Sequence, residues 1–210
     1  MLIEIFSDVI CPWCFIGRRR LARALETRPG LNPVIRWRAF QLNPGMPLEG
    51  MDRQDYLALK FGAERSGPVY ERIRETGRSE GIDFRFESIE RTPSTLAAHR
   101  LIRESGERQT EVVDALFDAY FLNGENIGDT QQLADIASRA GWDRKEAEKF
   151  LTSETAASQV RQEDAQARAM GIQGVPCFVV EKRYAISGAQ DPEYFVPLFD
   201  LVQNGEATVD

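Results

Sequence analysis

Cys11 and Cys14 stand three residues apart in the segment Cys11-Pro12-Trp13-Cys14. Two thiols at that spacing can ligate a metal, form a structural pair or exchange electrons as a dithiol. A zinc site of this type needs a second Cys/His pair, and the sequence offers none. The apolar run Leu2-Ile3-Glu4-Ile5-Phe6 reads as a short buried strand ending at Ser7-Asp8. Pro12 then fits the first position of a helix, where no N–H is needed. Phe15 to Thr27 contains no proline and only Gly17 against helix. A thiol at such a helix N-terminus meets unpaired N–H groups and the positive end of the dipole. That lowers its pKa and favours the thiolate. The motif is predicted to be a redox or thiolate site.

The helix that positions the pair gives its sulfurs different tasks. At 100° per residue, Cys14, Gly17, Leu21 and Leu25 share the face that packs on a sheet. Cys14 is expected to be shielded and Cys11 to lie at the exposed tip, an asymmetry suited to a resolving and an attacking thiol. Trp13 offers a substrate-contact surface or a cover for the helix end. Arg19, Arg20 and Arg23 fall on the opposite face and read as solvated surface rather than a steering patch.

The surrounding elements follow from pattern. Val34-Ile35-Arg36-Trp37-Arg38-Ala39-Phe40 alternates like a strand near a sheet edge and stops at Asn43-Pro44-Gly45. Strand, helix, strand makes a βαβ unit with a right-handed crossover. Residues 48–170 are mostly helical in signal. Helices are expected from Asp52 to Phe61, from Pro68 to a stop near Gly77 to Gly81, and from the cap Thr92-Pro93 to about Glu104. Others cover 108–122 and 130–140, a short one follows Asp143, and a long one runs from Ser153 or Glu154 to Gly171. Ile82 to Phe86 alternates like an isolated strand. Cys177-Phe178-Val179-Val180 and Tyr184-Ala185-Ile186 form a hairpin around Glu181-Lys182-Arg183, and Asp191-Pro192 caps a last helix. The fold class is therefore α/β: βαβ … ββα with a large all-helical insertion. Residues 1–47 and 171–210 form the sheet domain and 48–170 the insertion domain.

The chain has 210 residues, 42% of them hydrophobic, enough for a substantial core. A formal net charge of −7 argues against a nucleic-acid partner. A strand begins within two residues of the start and no apolar run is long enough to cross a membrane, so neither a signal peptide nor a membrane partner is expected. Three cysteines do not make a secreted disulfide framework, and the expected location is cytoplasmic.

With the dithiol at its first helix, this order resembles the thioredoxin fold. Five segments narrow the resemblance: Ser7 to Gly17, Phe40-Gln41-Leu42-Asn43-Pro44, Thr95 to Leu101, Gly171 to Pro176, and Ser187-Gly188-Ala189-Gln190. Together they resemble the DsbA-like oxidoreductases of the FrnE type, related to 2-hydroxychromene-2-carboxylate isomerase and kappa-class glutathione transferase. The resemblance implies a thiol–disulfide oxidoreductase with Cys11 as nucleophile and Cys14 as resolving cysteine. It also implies that Pro176 is a cis-proline beside the dithiol, with Val175 offering its backbone N–H and C=O to an extended substrate segment. Trp13, Val175 and Pro176 are then the substrate-contact residues. No cofactor or metal is implied. Glutathione remains admissible as a thiol co-substrate, the other substrates being disulfide-containing proteins or small thiols, and homodimerisation is left open.

In the isomerase and transferase relatives a serine typically takes the place of Cys11, so the pair present here favours dithiol exchange. Two alternatives stand beside it: a glutathione-dependent isomerase or transferase, and a non-enzymatic redox-regulated binding module. Cys177 reads as a small buried hydrophobe. His99 reads as a packed helix residue before a groove residue, and Asp8 as a turn or capping residue rather than a proton acceptor.

Overall fold

The computed structural model describes residues 1–62 and 66–206. Ile3 and Ile5 alternate with Glu4 and Phe6 in β1 (Leu2–Ser7), and all four are buried because the strand is central. It passes into α1 (Pro12–Glu26), with proline at the start of the helix, and the chain returns in β2 (Val34–Ala39), parallel to β1.

The insertion opens with β3 (Met51–Asp52) and α2 (Arg53–Phe61), whose first N–H groups are capped by the Asp52 carboxylate. α3 (Ser66–Ser79), β4 (Arg91–Thr92) and α4 (Leu96–Glu104) follow. α5 (Gln109–Asn123), α6 (Thr130–Arg139), α7 (Arg144–Leu151) and α8 (Ala157–Ala169) complete it. The chain then re-enters the sheet as β5 (Cys177–Val180) and β6 (Tyr184–Ser187) and ends in α9 (Val196–Glu206). The sheet order is β2-β1-β5-β6, with β5 antiparallel to both neighbours. This is the expected βαβ … ββα thioredoxin-like arrangement. The hairpin turns through Glu181 and Lys182 at φ 51° and 54°, both left-handed, matching the twist of the strands it joins.

Residue parity sorts the core into two layers. Ile3, Ile5, Trp37, Phe178 and Val180 pack with Phe15, Ile16 and Leu21 of α1 and with the insertion. Phe6, Cys177 and Val179 face the other way, toward Phe40 and Ala167 of α8. The insertion is welded to α1 by aromatic rings: Phe117 stacks on Phe15 at 5.0 Å and 10° and meets Trp37 edge-on at 6.5 Å.

The free edge of β2 is covered by side chains. Its outward N–H groups at Trp37 and Ala39, and the next at Gln41, donate to Gln109 Oε1, Glu163 Oε2 and Asp164 Oδ1 at 3.0, 3.3 and 2.8 Å.

Four expectations are corrected. α4 starts at Leu96, not after Thr92-Pro93, because Thr92 pairs with Met51 in the two-residue ladder of β3 and β4, a small addition to the helical insertion. Ile82 to Phe86 is not a strand; Ile82 and Phe84 fill the helical core and residues Phe86–Ser88 form a 3-10 turn. The long helix starts at Ala157, after Ala156 at φ 64°. Arg20 and Arg23 are not simply solvated: both bind Glu80 after α3, and Arg20 also binds Asp191, so they clamp α1 to the insertion and the C-terminal segment.

Candidate active site

Cys11 is the N-cap residue of α1, yet its sulfur makes no capping bond. The thiol instead donates to the Val175 carbonyl at 3.6 Å. That segment, from far along the chain, covers the helix tip, and Cys11 is only 5% exposed. The expected exposed tip is thus corrected: the Cys11 sulfur is buried against the Val175 carbonyl. Cys14 lies one turn inward at 1% exposure. Burial, then the adjacent Cys11 sulfur, pushes its thiol pKa well above the ordinary value, while Ser7 and the Asp8 N–H oppose that shift. The pair therefore differs as the helix face predicted in one respect, Cys14 being the shielded thiol, and that enclosure holds it protonated.

The remaining expected residues gather here too. The peptide bond between Val175 and Pro176 is cis. Pro176 is buried and Val175 half-buried beside the dithiol, and Trp13 is partly buried against the core. α1 approaches Pro176 closely because residue 17 is glycine: a β-carbon there would lie 2.9 Å from Pro176 Cγ and 3.1 Å from the Phe178 ring. Gly17→Ala gains about 1 kcal/mol of helix propensity but overpacks this contact at a cost of about 1–3 kcal/mol. We expect a lowered melting temperature; an unchanged or raised one would show that Pro176 yields freely. Cys177, by contrast, points to the opposite face of the sheet, and burial raises its pKa.

Asp8 does more than turn the chain. Its C=O accepts the Cys11 N–H at 3.0 Å, its N–H faces Cys14, and its Oδ2 accepts the Leu42 N–H at 2.7 Å. Its Oδ1 faces His99 Nε2 at 3.4 Å, both fully enclosed, in a geometry that forms no hydrogen bond. Sequence reasoning passed over this pairing, and it also missed Arg53. That buried guanidinium binds the hydroxyls of Tyr70 at 2.7 Å and Thr92 at 3.0 Å, and among the described residues no carboxylate lies within ion-pair distance of it. Burial, foremost, raises the pKa of Tyr70, against the lowering influence of the Arg53 guanidinium. A groove of about 450 Å³ is lined by Leu42, Met46, Met51, Tyr56 and Lys60, and Arg53 reaches it only through the Tyr56 ring, 5.6 Å from its guanidinium. Among the described residues no group of three or more His, Cys, Asp or Glu side chains could hold a metal ion.

A thioredoxin-like sheet with a dithiol at the head of its first helix, facing a cis-proline, defines a class of thiol-active proteins. The chain belongs to the DsbA-like thioredoxin domain family, whose model matches residues 2–199. It is similar to the crystal structure of a probable DsbA oxidoreductase from Streptomyces coelicolor, at 29% identity and TM-score 0.87, covering 100% of this chain and 92% of that one. Two further structures share the fold. 2-Hydroxychromene-2-carboxylate isomerase is 15% identical with TM-score 0.70 and covers 100% of both chains. The cytosolic disulfide reductase DsbM from Pseudomonas aeruginosa, solved with GSH, is 14% identical with TM-score 0.67, covering 97% of this chain and 100% of that one. No described helix is long and apolar enough to cross a membrane.

Proposed function

We propose that the protein is a thiol–disulfide oxidoreductase in which Cys11 attacks and Cys14 resolves. One observation carries this: the two thiols share one helix end but not one environment. Cys11 lies against an extended backbone group that a substrate strand can use, while Cys14 is enclosed and kept protonated. Exchange needs such an order, because only one sulfur should meet the substrate first. Val175 would pair with the substrate main chain, with Pro176 and Trp13 beside it. Its substrates are disulfide-containing proteins or small disulfides, and its setting is the cytoplasm, where reducing partners regenerate the dithiol. Glutathione is proposed as a thiol co-substrate, supported by Lys60 as a counter-charge for a carboxylate in the groove of about 450 Å³ that it lines.

The test is native alkylation of the reduced protein with iodoacetamide, mapped by mass, alongside turnover of insulin and of a glutathionylated peptide. Cys11 should be modified well before Cys14 and Cys177, whose burial holds them as thiols. Equal labelling of Cys14, or no turnover of either disulfide, contradicts the proposal. Stoichiometric glutathione binding without disulfide turnover would favour the isomerase or transferase chemistry instead.

A further inference from the structure

The division of labour between the cysteines leaves one proton without an obvious destination. When Cys14 attacks a mixed disulfide on Cys11, its thiol must lose a proton while substrate covers the front of the site. The structure has titratable groups behind it. Ser7 Oγ, Asp8 Oδ1 and His99 Nε2 are buried polar atoms that make no formed hydrogen bond among the described residues. Leaving one such atom unpaired costs about 1–3 kcal/mol, and three close together point to a shared task. Ser7 Oγ lies near enough to the Cys14 sulfur to stabilise its thiolate, although it forms no aligned bond at rest. Beyond Ser7 a cavity of about 10 Å³ is lined by Ser7, Trp37 and His99, near the size that holds one water. Asp8 Oδ1 backs His99 at 3.4 Å.

The cavity adjoins surface grooves through shared lining residues. Its charged lining is Arg38 of β2, Arg103 of α4 and Glu163 of α8, and these same three side chains line surface grooves of about 310 and 240 Å³. Both arginines are engaged by Glu163, and Arg38 also by Glu4, so this gate is locally balanced in charge. From α1 the facing titratable groups are Cys11 and Cys14 themselves. Asp8 is thus the carboxylate placed to stabilise a charged imidazole at His99.

We propose that Ser7, His99 and Asp8 form a proton relay that drains the Cys14 thiol through the rear of the site during resolution. The inference rests on the proposed roles of Cys11 and Cys14. In the step, the Cys14 sulfur bonds to the Cys11 sulfur and the bond from Cys11 to the substrate sulfur breaks. The substrate sulfur leaves with the electron pair as a thiolate, so the two cysteines are oxidised and the substrate is reduced. The Cys14 proton passes to Ser7 Oγ, which gives its own proton across the cavity to neutral His99 Nε2. The imidazolium, held by Asp8, then releases it to solvent past Arg103 and Glu163. Run backward, the relay reprotonates Cys14 when the enzyme disulfide is opened.

The test separates the two sulfurs in time. Reduced protein in a Cys177→Ala background is mixed with dithiobis-nitrobenzoate in a stopped-flow instrument. Attack by Cys11 releases one coloured thiolate, and resolution by Cys14 releases the second. His99→Asn, Asp8→Asn and Ser7→Ala should leave the first phase as it is in the parent. The second should slow at least about tenfold near neutral pH, the lower side of what a positioned acid or base contributes. The rates should converge in strong alkali, where hydroxide takes the proton directly. Ser7→Ala removes a single oxygen, so it keeps the test decisive if the other variants fold poorly. An unchanged second phase in Ser7→Ala and His99→Asn overturns the relay, as does a second phase slowed by the same factor at every pH. A parent protein that gives no first phase would instead remove Cys11 as nucleophile, and the relay with it.

Discussion

Cys14→Ser is expected to accumulate a covalent adduct with substrate, and Cys11→Ser to form almost none. Exchange passes through a mixed disulfide, and release requires a second thiolate within reach of the first sulfur. In Cys14→Ser the adduct on Cys11 has no such partner. Cys177 cannot replace it, because its side chain lies on the opposite face of the sheet, packed with Phe6 and Val179. In Cys11→Ser the surviving site thiol is enclosed and protonated, so few disulfides reach it in reactive form. Intact-mass measurement after incubation with oxidised glutathione reads both outcomes, and a reductant should reverse the adduct. Catalytic turnover should fall by orders of magnitude in both variants. Equal trapping by the two would end the assignment of roles. Rapid release from Cys14→Ser that disappears on adding Cys177→Ser would show that the sheet does not separate the thiols.

Phe117→Ala should lower stability by about 3–5 kcal/mol. The ring is fully buried and stacks on Phe15 at 5.0 Å, with Trp37 and Phe121 on its other sides. Its removal opens a cavity between α5, α1 and β2, that is, between the insertion and the helix that carries the dithiol. At this chain length the melting temperature should fall by roughly 10 °C. Calorimetry checks it: a loss below about 1 kcal/mol would mean that the surrounding rings collapse into the space. A single shifted transition is expected, since the same aromatic cluster serves both parts of the chain.

What could be read in advance was what local spacing encodes. The dithiol, its helix, the strand before it and the helix starts at Asp52 and Asp143 all act within a few residues, and the structure has them as expected. Contacts between distant residues were illegible. Cys11 is covered because Val175 arrives from the far end of the sheet, which no helical wheel on α1 contains. Thr92 looks like a helix cap, but its backbone has a better partner in Met51, and tertiary pairing overrode the local preference. Asp8 and His99 are each unremarkable in sequence; only packing α4 against the end of β1 brings them to 3.4 Å. Arg20 and Arg23 lie on the face of α1 that its own sequence leaves to solvent, and the acid that claims both comes from the insertion.

The capped margin of β2 has a consequence for association. A sheet margin with unpaired N–H groups is a template for another strand, and proteins guard against fibre-like growth by hiding it. Here Gln109, Glu163 and Asp164 already occupy three successive outward donors, so no incoming chain can zip onto that side without first evicting them. The opposite margin, β6, has one strand neighbour; there Gln190 Nε2 donates to the Ser187 carbonyl at 2.9 Å, and among the described residues no side chain occupies the strand's N–H groups. Growth of this sheet is therefore polar: a second copy that joined by strand addition would have to meet β6 with its own β6, and such a pair closes on itself instead of propagating.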